Sequence, residues 1–264
     1  TKGLVDGLPK IHHPNQLCDG CLVGKQTRNP FQSQSQNRST VSLQLVHADH
    51  CGPISPPTKS GNKYFLLLVD DYNRAMWVYM LKNKDEAFGA FKKYEAAIEN
   101  QANKRIKTLR TDRDGEFMSH EFTSYCEQVG IARQTTAPYS PQQNGVVERR
   151  NRTIVEMSRS MLKSKVLPVS LWGETVRHAV HILNRLPTKA LNDCTPYEAW
   201  SGMKLNVSHI KIFGCVGHMK VPKPYLRKLD DRSQMVIHLG IEPSTKAYRL
   251  YDPKIEKLYI SRGV

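Results

Sequence analysis

The chain contains no run of about 18 apolar residues, which excludes an ordinary membrane-spanning helix. It does not open with the charged, apolar and small-residue sequence of a signal peptide. It begins at Thr1 rather than Met, in mid-motif, as expected of a fragment of a longer chain. Cysteine is sparse, with 6 in 264 residues, and only Cys18 and Cys21 have ligand-like spacing. The remaining four, Cys51, Cys126, Cys194 and Cys215, are expected as reduced buried thiols rather than a disulfide framework. Acidic residues are also few: 24 Asp and Glu face 39 Lys and Arg, giving a net charge of +15. Such an excess favours a polyanionic partner, nucleic acid first, although a basic surface can also serve solubility alone. The hydrophobic fraction of 39% and the length allow one large domain or two smaller ones with real cores.

The most informative stretch runs from Ala137 to Thr153, a Pro/Gly/Asn-rich loop leading into a basic helix. Asn144 and Gly145 let that loop bend and take unusual backbone angles. Glu148 suits the positive end of the helix, but Arg149, Arg150 and Arg152 follow at once and oppose the dipole. A first turn that tolerates such charge is expected to present it to an anion. Asp112 precedes Glu148 with 35 residues between them, and Asp49 closes the alternating run from Leu43. Three acids from three elements, two of them at strand ends, suit a pair of magnesium ions. Magnesium binds through few carboxylates plus substrate phosphates, and two ions can clamp the attacking and leaving oxygens of a phosphoryl displacement.

The elements around these acids read in a definite order. Tyr64–Asp70 is a near-continuous apolar run, expected as a central buried strand, and Ala75–Met80 is expected to pair with it as a hairpin. Asp70 and Asp71, between the two, are read as solvated turn acids. An amphipathic helix is expected over Lys84–Glu99, a strand over Ile106–Thr111, a short helix over Glu121–Val129 and a strand over Ile131–Thr135. The helix bearing Glu148 follows and extends to about Ser164. Val147, Ile154, Met157 and Met161 form its apolar side, and Glu148, Asn151, Arg152, Val155 and Arg159 form its polar side. A mixed sheet with flanking helices is the natural assembly of this order.

Beyond it, Ser170 is a plausible cap for a helix that stops at Leu186-Pro187, and Thr195–Trp200 opens another. Trp172 and Trp200 are read as core. From His209 the pattern turns to short strands at Ile210–Phe213, Val216–Val221, Gln234–Ile241, Ala247–Tyr251 and Lys257–Ser261, punctuated by Gly214, Gly240 and Asp252-Pro253. Such spacing suggests a small β-barrel.

The Asp49, Asp112 and Glu148 set resembles the D,D(35)E triad of retroviral and retrotransposon integrases. The segments Cys18–Arg28, Val46–Pro53, Ala137–Thr153, Thr195–Trp200 and Ala247–Asp252 resemble the integrase region of copia-type Gag-Pol polyproteins. The resemblance covers nearly the whole chain. It implies an α/β RNase H-like five-stranded mixed sheet with flanking helices, an SH3-like C-terminal module and a truncated N-terminal zinc segment. The expected divisions are 1–30 for the zinc-binding segment, 31–40 for a linker, 41–166 for the catalytic core, 167–207 for a helical extension and 208–264 for the β module.

By the same resemblance, Asp49, Asp112 and Glu148 are catalytic and hold two magnesium or manganese ions. Cys18 and Cys21 are half of a zinc site. His12 and His13 lie too close to Cys18 for the family's His-His-Cys-Cys spacing, so the histidines are expected upstream of Thr1. Gln143, Asn144, Arg149, Arg150, Arg152 and Arg159 are expected to contact DNA, with Lys220, Lys223, Arg227 and Lys228 allowing the β module to do the same. The implied activity is joining of DNA ends by a polynucleotidyl transferase that works as a dimer or larger multimer. It would be made in the cytoplasm within a polyprotein and a virus-like particle, and would act in the nucleus. Asp114 stands where the family usually has Gly, which adds a negative charge near the site. Two alternatives stay open, a hydrolytic nuclease of the RNase H type and a decayed copy that only binds DNA.

Overall fold

The computed structural model describes residues 38–136, 144–204, 206–221, 227–243 and 245–264. The zinc-segment residues Cys18 and Cys21, the loop residue Gln143 and Lys223 lie outside the described residues.

Strands β1 (Val46–Cys51), β2 (Tyr64–Asp70), β3 (Met76–Leu81), β4 (Thr108–Thr111) and β5 (Ala132–Thr135) form one mixed sheet in the order β3-β2-β1-β4-β5. β1 is antiparallel to β2 and parallel to β4, and β4 is parallel to β5. β1 is thus the middle strand. Its residues Val46, His47 and Ala48 are all buried, where alternation suggests one wet face. The strand also extends past Asp49, so that acid lies inside it rather than at its end.

The apolar run of β2 has its reason in two covered faces. Successive strand side chains point opposite ways, so a run apolar at every position needs a core on each side. Leu66 and Leu68 enter a core with Phe91, Tyr94, Ile98 and Phe122 of α1 (Ala87–Ala102) and α2 (His120–Val129). Phe65, Leu67 and Val69 enter the opposite core with Val147 and Ile154 of α3 (Gly145–Ser164) and Trp172 and Val176 of α4 (Trp172–Leu183).

Asp70 and Asp71 are not solvated. Both are buried in the turn between β2 and β3. Asp70 accepts from the backbone N–H groups of Leu43 at 2.6 Å and of Tyr72 and Asn73 at 3.0 Å. Asp71 accepts from Ser39 N at 2.8 Å and is paired with His47 Nε2 at 3.1 Å and Arg74 Nη1 at 3.0 Å. These carboxylates replace backbone partners that the tight turn leaves unmatched. The Asp71 carboxyl is accordingly held far below its usual range, the His47 and Ser39 hydrogen bonds and the Arg74 charge outweighing burial.

Ser170 lies within a short 3-10 turn, Val169–Leu171, and does not cap α4; that helix starts after Leu171 without a side-chain cap and ends at Leu183, before the expected proline stop. Helix α5 (Pro196–Ser201) forms where expected and is capped by Thr195, whose Oγ1 accepts from Glu198 N at 3.1 Å. Trp172 is buried, and Trp200 packs edge-on against Trp77 at 5.1 Å.

The C-terminal module is an antiparallel sheet of four strands in sequential order: β6 (Val216–Lys220), β7 (Ser233–Ile241), β8 (Tyr248–Asp252) and β9 (Lys257–Ser261). Ile210–Phe213 forms no strand, and it splits instead into an exposed Ile212 and a buried Phe213. Gly240 does not end a strand; it sits at a register shift within β7, at φ +125, where an added Cβ would come 3.0 Å from His178 of α4. The module is pinned to α4 by Arg249, whose guanidinium grips Glu174, with Nη2 donating to Oε1 at 2.8 Å, and also pairs with Glu242. Of the described cysteines only Cys126 is fully buried; Cys51, Cys194 and Cys215 are half-exposed and all four are free.

Candidate functional site

Because β1 is a strand, its two neighbouring polar residues serve opposite faces of the sheet. Asp49 shares the face of Cys51, toward α3. His50 points the other way, where its ring lies 5.6 Å from that of Phe117. The three acids arrive from three elements: Asp49 from the middle of β1, Asp112 one residue after β4, and Glu148 from the first turn of α3. The parallel pairing of β1 and β4 sends both strands toward the same end of the sheet, which is why residues so far apart in sequence become neighbours.

The three carboxyls feel one another. Burial pushes Asp49 up to about 7, and Asp112, the next largest cause, and Glu148 push in the same direction. Asp112 is raised chiefly by burial, against the hydrogen bond its Oδ1 accepts from Asp114 N at 3.2 Å. Glu148 is raised by burial and by Asp112, while Arg149 and Arg152 pull it down. Three acids whose charged forms are all opposed by burial, with Asp112 also opposing Asp49 and Glu148, form a donor set suited to a hard divalent cation, which relieves burial and repulsion together. Their oxygens are not drawn together to ligand spacing around one point in this structure.

The group that is so drawn together, among the described residues, is His50, Asp114 and Glu116, whose ligand atoms lie within 4.8 Å of one another. Asp114 Oδ2 lies 2.9 Å from His50 Nε2 and 2.9 Å from Lys84 Nζ. The extra acid does raise Asp112 through its charge, but that charge has partners of its own. A lysine ammonium already neutralises it, and its carboxyl is held below the usual range, the Lys84 hydrogen bond overcoming burial.

Asn151 is not among the site residues expected from the sequence, yet it touches the site directly. Its Nδ2 donates to Asp49 Oδ2 at 2.8 Å. It belongs to the buried face of α3, with Val147, Ile154, Ser158 and Leu162, rather than to the arginine face. Its three-residue offset from Glu148 is the one local signal of this role. Asn144 is buried at the start of α3, and its Nδ2 donates to Ala48 O at 3.2 Å, so its side chain faces β1.

The arginines of α3 divide. Arg152 and Arg159 lie on the flank of Glu148, both exposed. Arg149 and Arg150 turn to the other flank and line a cleft of about 340 Å³ with Arg74, Thr153, Thr188 and Lys189. At about 100° per residue the midpoints of the two pairs stand roughly 120° apart around the helix, with Arg149 still close enough to lower Glu148.

Known proteins bear on this geometry at three levels. Residues 40–141 match the integrase core domain model, and residues 215–264 match the retroviral polymerase SH3-like domain model. The retrovirus-related Pol polyprotein from transposon TNT 1-94 of Nicotiana tabacum is 44% identical over 247 residues, which is 94% of this chain and 18% of that protein. The corresponding polyprotein from transposon RE1 of Arabidopsis thaliana is 34% identical over 254 residues, 96% of this chain and 17% of that protein. The chain thus spans under a fifth of the length of these curated relatives. A chain in the cryoEM structure of the simian T-cell lymphotropic virus intasome in complex with PP2A regulatory subunit B56 gamma superposes with a TM-score of 0.55 at 17% identity, covering 93% of this chain and 85% of that one, and shows the fold. The chain carries an integrase core domain and a retroviral polymerase SH3-like domain, and its homologues are Pol polyproteins of plant copia-type transposons.

Proposed function

We propose that the chain is the integrase of a retrotransposon and joins DNA strands. The 3′-hydroxyl oxygen of one strand forms a bond to a target phosphorus, the target's bridging P–O3′ bond breaks, and the hydroxyl proton ends on the displaced 3′-oxygen by way of solvent. One phosphodiester is broken and one is made. The gathering of Asp49, Asp112 and Glu148, all raised by burial and with Asp112 opposing the charge of both others, is the observation that carries this proposal.

These three residues would hold two magnesium or manganese ions, which when bound supply charge stabilisation at the attacking and leaving oxygens. Asn151 fixes one oxygen of Asp49 by donating to it. Exposed Arg152 and Arg159, on the flank of Glu148, suit phosphate contacts, which position DNA without reading its bases. The mixed sheet holds Asp49 and Asp112 rigidly. Glu148 comes instead from the first turn of α3, so the third ligand is carried by a separate element.

Cys18 and Cys21 would serve zinc only with two further ligands, since two thiolates do not complete a tetrahedral site. Self-association on paired DNA ends, production within a polyprotein and particle, and action in the nucleus complete the proposal. The division at residues 30, 40, 166 and 207 belongs to it as well.

The test is a disintegration assay on branched DNA with magnesium or manganese, run beside Glu148→Gln. Metal-dependent resealing in the wild type and at least about a hundredfold loss in the variant are expected for a residue acting on the transition state. Cleavage of an RNA–DNA hybrid without resealing would point to the nuclease. DNA binding with neither activity would point to a decayed copy.

A further inference from the structure

The cleft on the far flank of α3 has more positive charge than its surroundings compensate. Arg74 enters from the turn after β2, Arg149 and Arg150 from α3, and Lys189 from the segment after α4. Asp71 is the carboxylate paired with Arg74, and it is already engaged by Ser39 N and His47. Arg74 Nε is buried with no partner among the described residues. Arg38 adds a further cation, with its guanidinium donating to Tyr72 O at 2.7 Å and to Ala190 O. Burial lowers both Arg74 and Arg150; Arg38 and Arg150 push Arg74 further down, and Arg149 does the same to Arg150.

Cations gathered this closely repel one another, and an anion between them would offset that repulsion with attraction to each. The shape of the groups names the anion. Guanidinium forks match phosphate oxygens in pairs, and hydroxyls add single donors. Thr188 Oγ1 accepts from Arg150 Nη2 at 3.0 Å, which leaves its own proton free to donate. The cleft has room, at about 340 Å³, for a phosphate and its sugar links.

We propose that this cleft is a phosphate subsite for duplex DNA, and that it holds a backbone phosphate outside the segment lying at Asp49, Asp112 and Glu148. The proposal rests on the DNA-joining function and extends it, because the cleft is centred about 120° around α3 from the Glu148 flank. A duplex gripped at the carboxylates reaches the cleft only by crossing the helix or as a second arm. Contacts of this kind position DNA without selecting sequence.

The salt dependence of binding to a 30-base-pair duplex, followed by fluorescence anisotropy with the full chain, tests it. Arg149→Gln with Lys189→Gln removes two exposed cations of the cleft, and Lys92→Gln with Lys93→Gln removes two exposed cations of α1, across the sheet. The cleft variant is expected to flatten the slope of log affinity against log salt by about two, roughly one for each phosphate no longer neutralised, with the α1 variant close to wild type. An unchanged slope in the cleft variant overturns the subsite while leaving DNA joining intact. Equal flattening in both variants overturns it too, since net charge would then be the whole cause. A wild-type chain that does not bind the duplex sinks the subsite and the DNA-joining function together.

Discussion

Asn151 Nδ2 donates to Asp49 Oδ2 at 2.8 Å, tying the buried face of α3 to the middle strand of the sheet. The bond favours the ionised form of Asp49 and works against burial, Asp112 and Glu148, which hold that carboxyl up at about 7. Removing it in Asn151→Ala is expected to move the acid limb of the strand-joining pH profile upward by about half a unit to one unit. At pH 6.5 the rate is expected to fall about three- to tenfold, with a smaller loss at pH 8.5. A uniform loss at every pH would mean that Asn151 acts on packing alone.

Metal-free stability should depend on pH through the same carboxyl. Asp49 has its folded pKa raised above the usual 3.8, so it contributes stability that is full below about 3.8 and is lost as pH rises through about 7. Asp112 and Glu148 are raised in the same direction. In EDTA, the unfolding free energy from this source is expected to drop by about 2–3 kcal/mol between pH 5 and pH 7.5. Asp49→Asn should flatten that drop and raise the melting temperature at pH 8. Urea titrations at the two pH values measure the drop, and a thermal melt at pH 8 measures the shift. Magnesium should stabilise the wild type more at pH 8 than at pH 6, because the cation needs ionised ligands.

Asp114 bridges Lys84 and His50, and its depressed pKa gives stability that is present above its unfolded value and lost as pH falls through the folded one. The carboxylate is 44% exposed, which keeps the contribution small. Asp114→Asn is expected to cost about 0.5–1 kcal/mol at pH 7. A double-mutant cycle with Lys84→Ala should return a coupling of similar size; a coupling near zero would mean that solvent screens the pair completely.

Arg249 carries the junction between α4 and the C-terminal sheet. Its guanidinium is held well above its usual range by the Glu174 hydrogen bonds and also by Glu242. Arg249→Ala leaves the buried Glu174 without its cation and is expected to cost about 3–5 kcal/mol. Chemical denaturation should show it. Arg249→Ala with Glu174→Gln is expected to recover part of the loss, since an uncharged amide tolerates burial better than a lone carboxylate.

Much of the fold was legible because strand and helix periods are local properties. The apolar run of β2 announced a buried central strand, and the Thr195–Trp200 segment announced a short helix. β1 is harder to read. His47 sits in an apolar environment only because Asp71 reaches it from the next turn, so in sequence the strand looks half-wet. Ile210–Phe213 has strand-like residues but finds no neighbour to pair with. The fate of Asp70 and Asp71 is hidden for the same reason: an acid in a turn looks solvated until the backbone groups it will satisfy are known.

Residue type and spacing single out the side chains proposed to carry the chemistry. Asp49, Asp112, Glu148 and the arginines after Glu148 stand out in the bare chain, because the need for carboxylates and cations is a property of side chains. Their grouping came from folding alone. The parallel pairing of β1 with β4 makes Asp49 and Asp112 neighbours. Strand alternation sends His50 to Asp114 and Lys84 on the other face. Helical rotation gives Asn151 to Asp49, and it separates Arg152 from Arg149 and Arg150, which join Arg74 and Lys189 from distant loops. Such groupings depend on contacts between residues far apart in the chain, which no local pattern encodes.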